Sequence, residues 1–355
     1  MPRDSAPVRN HHAVGGTYAG MAPPRTHDGL FRFVFGEPEQ MAELLQSQLP
    51  PALTAAIDWP TLRRIEGSFV DAALQDRLTD LLFEVQVHGA PLLLHTLVDH
   101  KSRADWATAL QLARYTPRIH DRWLADHPDA RSLPPVLPFV VHHGDRPWQA
   151  ARSVDELVDL TPFPPAAAAF LRPLQLRLPF VLFDLAAMDD AAIEALRLSA
   201  VTGLTLRFLH VLRWLDPAAA LAQVVRWGPL LVGLARHPRG KDVLVALFSW
   251  YSARVGGDPQ DLRIIMTKIQ EHDEEFPAYS LLDALHDEGR ELGRKAGLQQ
   301  GELAGTRHLL ETMLRARFGV DLTPFVDRLA TADVATLQTY GERLLRAERI
   351  EQVFG

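Results

Sequence analysis

From Thr26 onward the chain moves between two hydrophobic periods. Leu30, Phe31, Val34 and Phe35 recur at helical spacing behind Thr26-His27-Asp28, a triplet that can cap a helix. Gly36-Glu37-Pro38 breaks that helix, and Met41, Leu44, Leu45 and Leu49 resume it over residues 39–49 before Pro50-Pro51. Residues 62–70 are mixed and 71–77 polar, with no clear period. Two strand-like runs follow, residues 78–87 and 92–100, separated by His88-Gly89-Ala90-Pro91. If Gly89 and Ala90 form a two-residue hairpin loop of the primed kind, Asp80 stands directly opposite Asp99. Strand alternation then brings Lys101 to the same face, and a slip of one residue would destroy the arrangement.

Residues 105–124 form a predicted amphipathic helix carrying Trp106, Leu110, Ala113, Ile119 and Trp123, with a kink or break expected at Pro117. Two more strands are predicted over 135–142 and 178–185, with a short helix over 152–160. From Asp189 the pattern is helical, in segments 191–214, 217–227, 230–235, 241–254 and 259–270. Gly289, Gly293, Gly297, Gly301 and Gly305 then recur every fourth residue, a stripe along one helix face. Each such glycine weakens a helix, so the stripe reads either as the close approach of a partner helix or as a flexible connector. Residues 309–318 and 332–354 form a helical end piece.

This order of elements predicts an α/β fold, a small mixed sheet built on the hairpin and flanked by helices, followed by a helical C-terminal region. Four segments are expected: a disordered leader over 1–24, an α/β core over 25–187, a helical extension over 188–286, and the glycine-striped helix with its end piece over 287–355.

Composition narrows the chemistry. With 355 residues, 47% of them hydrophobic, the chain has ample material for a core. It has no cysteine, which removes thiolate zinc sites, iron–sulfur clusters and thiol nucleophiles. A net charge of -7 argues against wrapping nucleic acid over the whole surface and leaves room for a local basic groove. No apolar run is long enough to predict a membrane span, the leader lacks the apolar core of a signal peptide, and a cytoplasmic protein is expected.

Among chemistry-bearing residues, Asp80, Asp99 and Lys101 stand out. Two ionised carboxylates facing each other repel, and a divalent cation between them is the simple remedy; hard oxygen ligands suit Mg²⁺. An adjacent lysine can orient a water or neutralise charge on a phosphate. The alternative is a solvated hairpin end with an ordinary ion pair. Glu84 and His95 fall in the same predicted register, where a hydrogen bond is favoured over a ligand role. On the following helix Gln111, Arg114 and Tyr115 could reach a phosphate, although Asp105, Asp121 and Asp126 dilute its basic character. His142-His143 is not expected to chelate, because adjacent strand residues point to opposite faces.

The run His27-Asp28-Gly29-Leu30-Phe31-Arg32, then Phe35, then Asp80 within RLTDLLFEV, then LVDHKS (residues 97–102), then Leu112-Ala113-Arg114-Tyr115 resembles the recombination-promoting nuclease family. That family is also labelled as transposases, and it belongs to the PD-(D/E)XK nuclease superfamily. The EGR…GRKAG…QQG tail and the ending LLRAERIEQVF are similar to the family's tails. The resemblance implies a metal-dependent DNA endonuclease, with Asp80 as the first acid and Asp99-His100-Lys101 as the D-x-K element. It further implies that Asp28 adds a metal ligand from the first helix, that Mg²⁺ is the cofactor and Mn²⁺ a substitute, and that DNA is the partner. Many members carry E-x-Q where this chain has Asp99-x-Lys101, which brings it nearer the general superfamily pattern. The competing expectation is a non-catalytic DNA-binding or self-assembling protein on a degenerate nuclease fold, with the glycine stripe as the oligomer contact.

Overall fold

The structure is a computed structural model that describes residues 24, 26–65, 79–99, 105–255, 259–271, 273, 274, 276, 278–319 and 322–355. Apart from Pro24, the expected leader lies outside the described residues. The chain divides into two compact units, Met1–Asp283 and Ala284–Gly355.

Thr26 caps the first helix as predicted. Its backbone is extended (φ −104°), its hydroxyl accepts from the Gly29 N–H at 3.0 Å, and α1 (His27–Phe35) buries Leu30, Phe31, Val34 and Phe35. Prolines at their N-termini start α2 (Pro38–Gln48) and α3 (Pro51–Ala56). The next element, β1 (Ile57–Arg64), is not legible as a strand from sequence. Its pairing with β2 (Thr79–Val87) runs Ile57↔Val87 and Asp58↔Gln86, then jumps to Arg63↔Glu84. Pro60 lies inside that irregularity, which an edge strand tolerates, and the jump erases the alternation that marks a strand.

β2 pairs antiparallel with β3 (Ala90–Asp99). From β3 the chain crosses through α4 (Thr108–Asp126) to β4 (Val136–His142), parallel to β3. It then passes α5 (Pro165–Leu171) and adds β5 (Val181–Asp184), parallel to β4. The result is a mixed sheet of five strands in sequence order. The predicted helix over 152–160 is a 3-10 turn, Val154–Leu157. Pro117 does not end α4; it lies on the exposed side and costs one backbone hydrogen bond in a helix of 19 residues.

Both sheet faces are covered. On one, Leu82, Leu93, Leu97 and Val140 pack under Leu112, Tyr115 and Ile119 of α4. On the other, Phe83, Val85, Leu94 and Phe139 are buried, and the Thr96 hydroxyl contacts Met41 Sδ of α2 at 3.8 Å. Double coverage is why the strands read as nearly unbroken apolar runs.

The predicted helix over 191–214 is two helices, α6 (Asp190–Ala195) and α7 (Ala200–His210), followed by a 3-10 turn at Leu212–Trp214. The break follows from capping. Ser199 caps α7, and Glu43 reaches it from α2: its carboxylate accepts from the Ser199 N–H, from Ser199 Oγ at 2.7 Å and from Thr202 Oγ1. A carboxylate at a helix N-terminus answers both the orphan N–H groups and the helix dipole. Helices α8 (Pro217–Arg226), α9 (Gly228–Ala235), α10 (Gly240–Val255) and α11 (Pro259–Gln270) follow, with α1 packed on α7 and α10.

Helix α12 (Ala278–Phe318) runs unbroken for 41 residues through all five striped glycines. A Cβ at Gly297, Gly301 or Gly305 would meet nothing within 4 Å, so among the described residues no helix of this chain uses that part of the stripe for close approach. In the second unit α13 (Val326–Thr331), α14 (Val334–Leu344) and α15 (Glu351–Phe354) close over Leu310, Leu314, Leu337 and Val353.

Candidate functional site

The hairpin register corrects the expectation. The turn is His88-Gly89, with φ +50° and +80°, and the strands close on Val87↔Ala90. Two positive φ values are the signature of a type I′ turn. Proline explains the choice. With Gly89-Ala90 as the loop, Pro91 would occupy the hydrogen-bonded closing pair, where it has no N–H to give. With His88-Gly89 as the loop, Pro91 moves to the next pair, opposite Gln86, where no cross-strand N–H is required of it.

Asp80 therefore pairs with Leu97, not Asp99. The displacement is two residues, an even number, so the backbone positions of Asp80 and Asp99 stay on the same side of the pleat as diagonal neighbours. Such neighbours lie about 7–8 Å apart. The side chains of both aspartates, and the whole of Lys101, lie outside the described residues.

Parallel pairing carries the same row across the sheet. Asp99 pairs with His142, and His142 pairs with Asp184, at the carboxyl ends of β3, β4 and β5. His142 Nε2 bonds the Arg146 carbonyl at 2.9 Å, and the ring meets Trp148 edge-on. Asp184 Oδ2 accepts from the Trp148 N–H at 2.7 Å, while its buried Oδ1 accepts no hydrogen bond among the described residues. Sequence reasoning identifies neither His142 nor Asp184 as a neighbour of Asp99. Their alignment depends on the parallel register across α4, which leaves no local signal.

Helix α1 starts at this same end of the sheet. The His27 ring lies 5.2 Å from that of His143, the residue after β4, and 5.1 Å from Trp250 of α10. Asp28, half-buried in the first turn of α1, thus stands where β4 finishes. Arg213 and His210 stand beside this end of the sheet. Arg213 donates to the His143 carbonyl at 2.6 Å and pairs with Asp145 at 3.2 Å, and burial pulls its pKa down. His210 bonds the Met188 carbonyl at 2.8 Å. Burial holds the His210 pKa below 6.5, the nearby Arg213 charge adds to that, and the Met188 carbonyl and Asp184 oppose it.

Of the other predicted residues, Gln111 is half-buried and Arg114 exposed on α4. Glu84 does not bond His95: the register sets it opposite Leu93, and its carboxylate accepts from Arg63 Nη2 at 2.9 Å. His95 instead meets Tyr115 edge-on at 5.4 Å. His142 and His143 have separate neighbours, as the alternation argument requires.

Residues 25–227 match the family described as "Putative transposase, YhgA-like". The chain belongs to that family. It is 30% identical over 138 residues to recombination-promoting nuclease RpnD of Escherichia coli O157:H7, which is 38% of this chain and 52% of that protein. It is 33% identical over 126 residues to recombination-promoting nuclease RpnC of Escherichia coli K12, covering 35% of this chain and 41% of the relative. A third relative from the same strain, 27% identical over 121 residues (34% of this chain, 39% of the relative), is named inactive recombination-promoting nuclease-like protein RpnE. The matched stretches thus span about half the length of these relatives or less. No solved structure matches the chain.

Proposed function

We propose that this chain is a metal-dependent endonuclease that hydrolyses DNA phosphodiester bonds, with Asp80, Asp99 and Lys101 as its catalytic residues and Asp28 as a further metal ligand. The observation that carries the reading is the even-numbered register offset of the β2–β3 hairpin. It keeps the Asp80 and Asp99 positions on one side of the pleat, at the end of the sheet where α1 begins with Asp28. Family membership and the nuclease names of RpnD and RpnC support the reaction class.

The donors are carboxylates, hard oxygen ligands suited to Mg²⁺, and the row holding Asp99 includes Asp184, with a buried carboxylate oxygen that accepts no hydrogen bond among the described residues. When bound, magnesium supplies a Lewis acid and a water of lowered pKa. Asp80 and Asp99 would hold the ion from adjacent strands, and Asp28 from α1. Lys101 orients the attacking water or neutralises charge developing on the phosphate. Arg114 and Gln111 on α4 contact the DNA backbone, a sequence-independent, salt-sensitive interaction.

The name of RpnE favours a second reading, a duplex binder that does not cut. A supercoiled-plasmid assay separates the two. Nicking that needs Mg²⁺ and is lost in Asp80→Ala and Asp99→Ala supports the first. Salt-dependent duplex binding with no nicking in either Mg²⁺ or Mn²⁺ supports the second.

A further inference from the structure

Away from the sheet, helices α6 to α9 enclose a half-open cavity of about 360 Å³. That is the size of a small-ligand pocket. Its walls are apolar at Ile193, Leu198, Pro229 and Leu230, and its charged lining is Asp190, Glu194, Arg207 and Arg226.

Arg207 is the unusual member. Its side chain is only 6% exposed, and Nε donates to Asp190 Oδ1 at 2.5 Å. Asp190 is fully engaged, since Oδ2 also accepts from Gln223 at 2.9 Å and from the Trp227 indole at 3.1 Å. The outer edge of the guanidinium is different. Among the described residues, Nη1 and Nη2 make no hydrogen bond, and the nearest carboxylate, Glu194, stands 4.0 Å from Nη2 with its side chain 80% exposed. A purely structural Arg207–Asp190 pair needs only Nε. It leaves Nη1 and Nη2 of a cavity-lining residue, reached by solvent and held only by the long contact to Glu194, with donor capacity for an anion.

Two further features fit an anion at that edge. Gly203 lies one turn back on α7, and a Cβ there would stand 3.1 Å from Nη1. A mid-helix glycine weakens α7 and makes room for the guanidinium. Arg226, the last residue of α8, lines the same cavity and is a second cation there.

We infer that this cavity binds a small organic oxyanion, a carboxylate or phosphate monoester on an apolar body about the size of one ring. The Nη1/Nη2 edge of Arg207 receives the oxyanion in fork geometry, and Arg226 at the exposed rim adds a second positive charge. The body rests on Leu198, Leu230 and Pro229. The site is independent of the hairpin aspartates and of whether the chain cuts DNA.

Calorimetric titration of the full chain with phenyl phosphate, benzoate, inorganic phosphate and benzyl alcohol tests it. The two aryl anions should bind with Kd on the order of 1 mM or tighter. Phosphate without a ring, and benzyl alcohol without a charge, should each bind at least about 10-fold more weakly, a difference of about 1.4 kcal/mol. Glu194→Gln removes the like charge beside the anion and should tighten aryl-anion binding about 2- to 5-fold, while Arg226→Ala should weaken it by a similar factor. Both residues are exposed, so both variants keep the fold, and Arg207→Lys, which keeps the charge but loses the fork, should weaken binding further. Equal binding of all four probes, no binding of either aryl anion, or affinities unmoved in Glu194→Gln and Arg226→Ala would overturn the inference. So would Arg226-dependent binding of a DNA duplex by a chain that ignores phenyl phosphate.

Discussion

The hairpin register sets where the two strand aspartates stand, and a single exposed position tests it. His88 is a turn residue with φ +50° in the register observed here, and it would be a strand residue if the loop were Gly89-Ala90. Its side chain is exposed, so substitution removes no packing. Histidine and asparagine are enriched several-fold in the left-handed region, whereas a β-branched residue there is an outlier, a preference worth about 1 kcal/mol. His88→Val should therefore destabilise the protein by about 1 kcal/mol, lowering the melting temperature by about 2–4 °C. His88→Asn creates the Asn-Gly pair that type I′ turns prefer and should be neutral or slightly stabilising. In a strand the order reverses, because valine favours strands and asparagine disfavours them. Thermal unfolding of both variants beside the wild type decides the matter. If the His88→Val variant equals or exceeds wild type while the His88→Asn variant falls below it, the turn lies one residue later and Asp80 faces Asp99 directly.

Two other measurements follow from polar contacts away from the hairpin. Glu43→Ala strips three hydrogen bonds from the start of α7 and should cost about 1–2 kcal/mol by denaturant unfolding, with Glu43→Gln losing less because it keeps an acceptor. His210 has a folded pKa below 6.5, so the unfolded chain takes up the proton first. Its contribution is complete above about pH 6.5 and declines as pH falls toward the folded value. Unfolding curves from about pH 7 to about pH 5.5 should slope less in His210→Gln than in wild type, and an unchanged slope would refute the assignment.

Local patterns are legible where local rules govern. Thr26, the apolar stripe of α1, the two hairpin strands and the strand-like run at residues 135–142 all carry their own signals, and the mixed sheet follows from them. What escapes a reading of the sequence depends on distant partners. β1 is hidden because its pairing jumps at Pro60, and the break before α7 because Glu43 caps it from 156 residues away. The turn differs from its expected place by one residue, since Gly89 and Ala90 suit a loop by themselves while the missing N–H of Pro91 acts only through the closing pair. That difference leaves the same-side relation of Asp80 and Asp99 intact, because a displacement by two preserves parity. The row Asp99–His142–Asp184 needs three strands and a crossover helix, and no window of sequence contains it.

The most direct test of the proposed site is the rate at which purified wild-type and Asp99→Asn chains convert supercoiled plasmid to the nicked form in Mg²⁺, with matched unfolding curves to establish equal folding. The account predicts nicking by the wild type that a chelator abolishes, and a rate at least about 100-fold lower in the variant. Nicking by Asp99→Asn at the wild-type rate would contradict it.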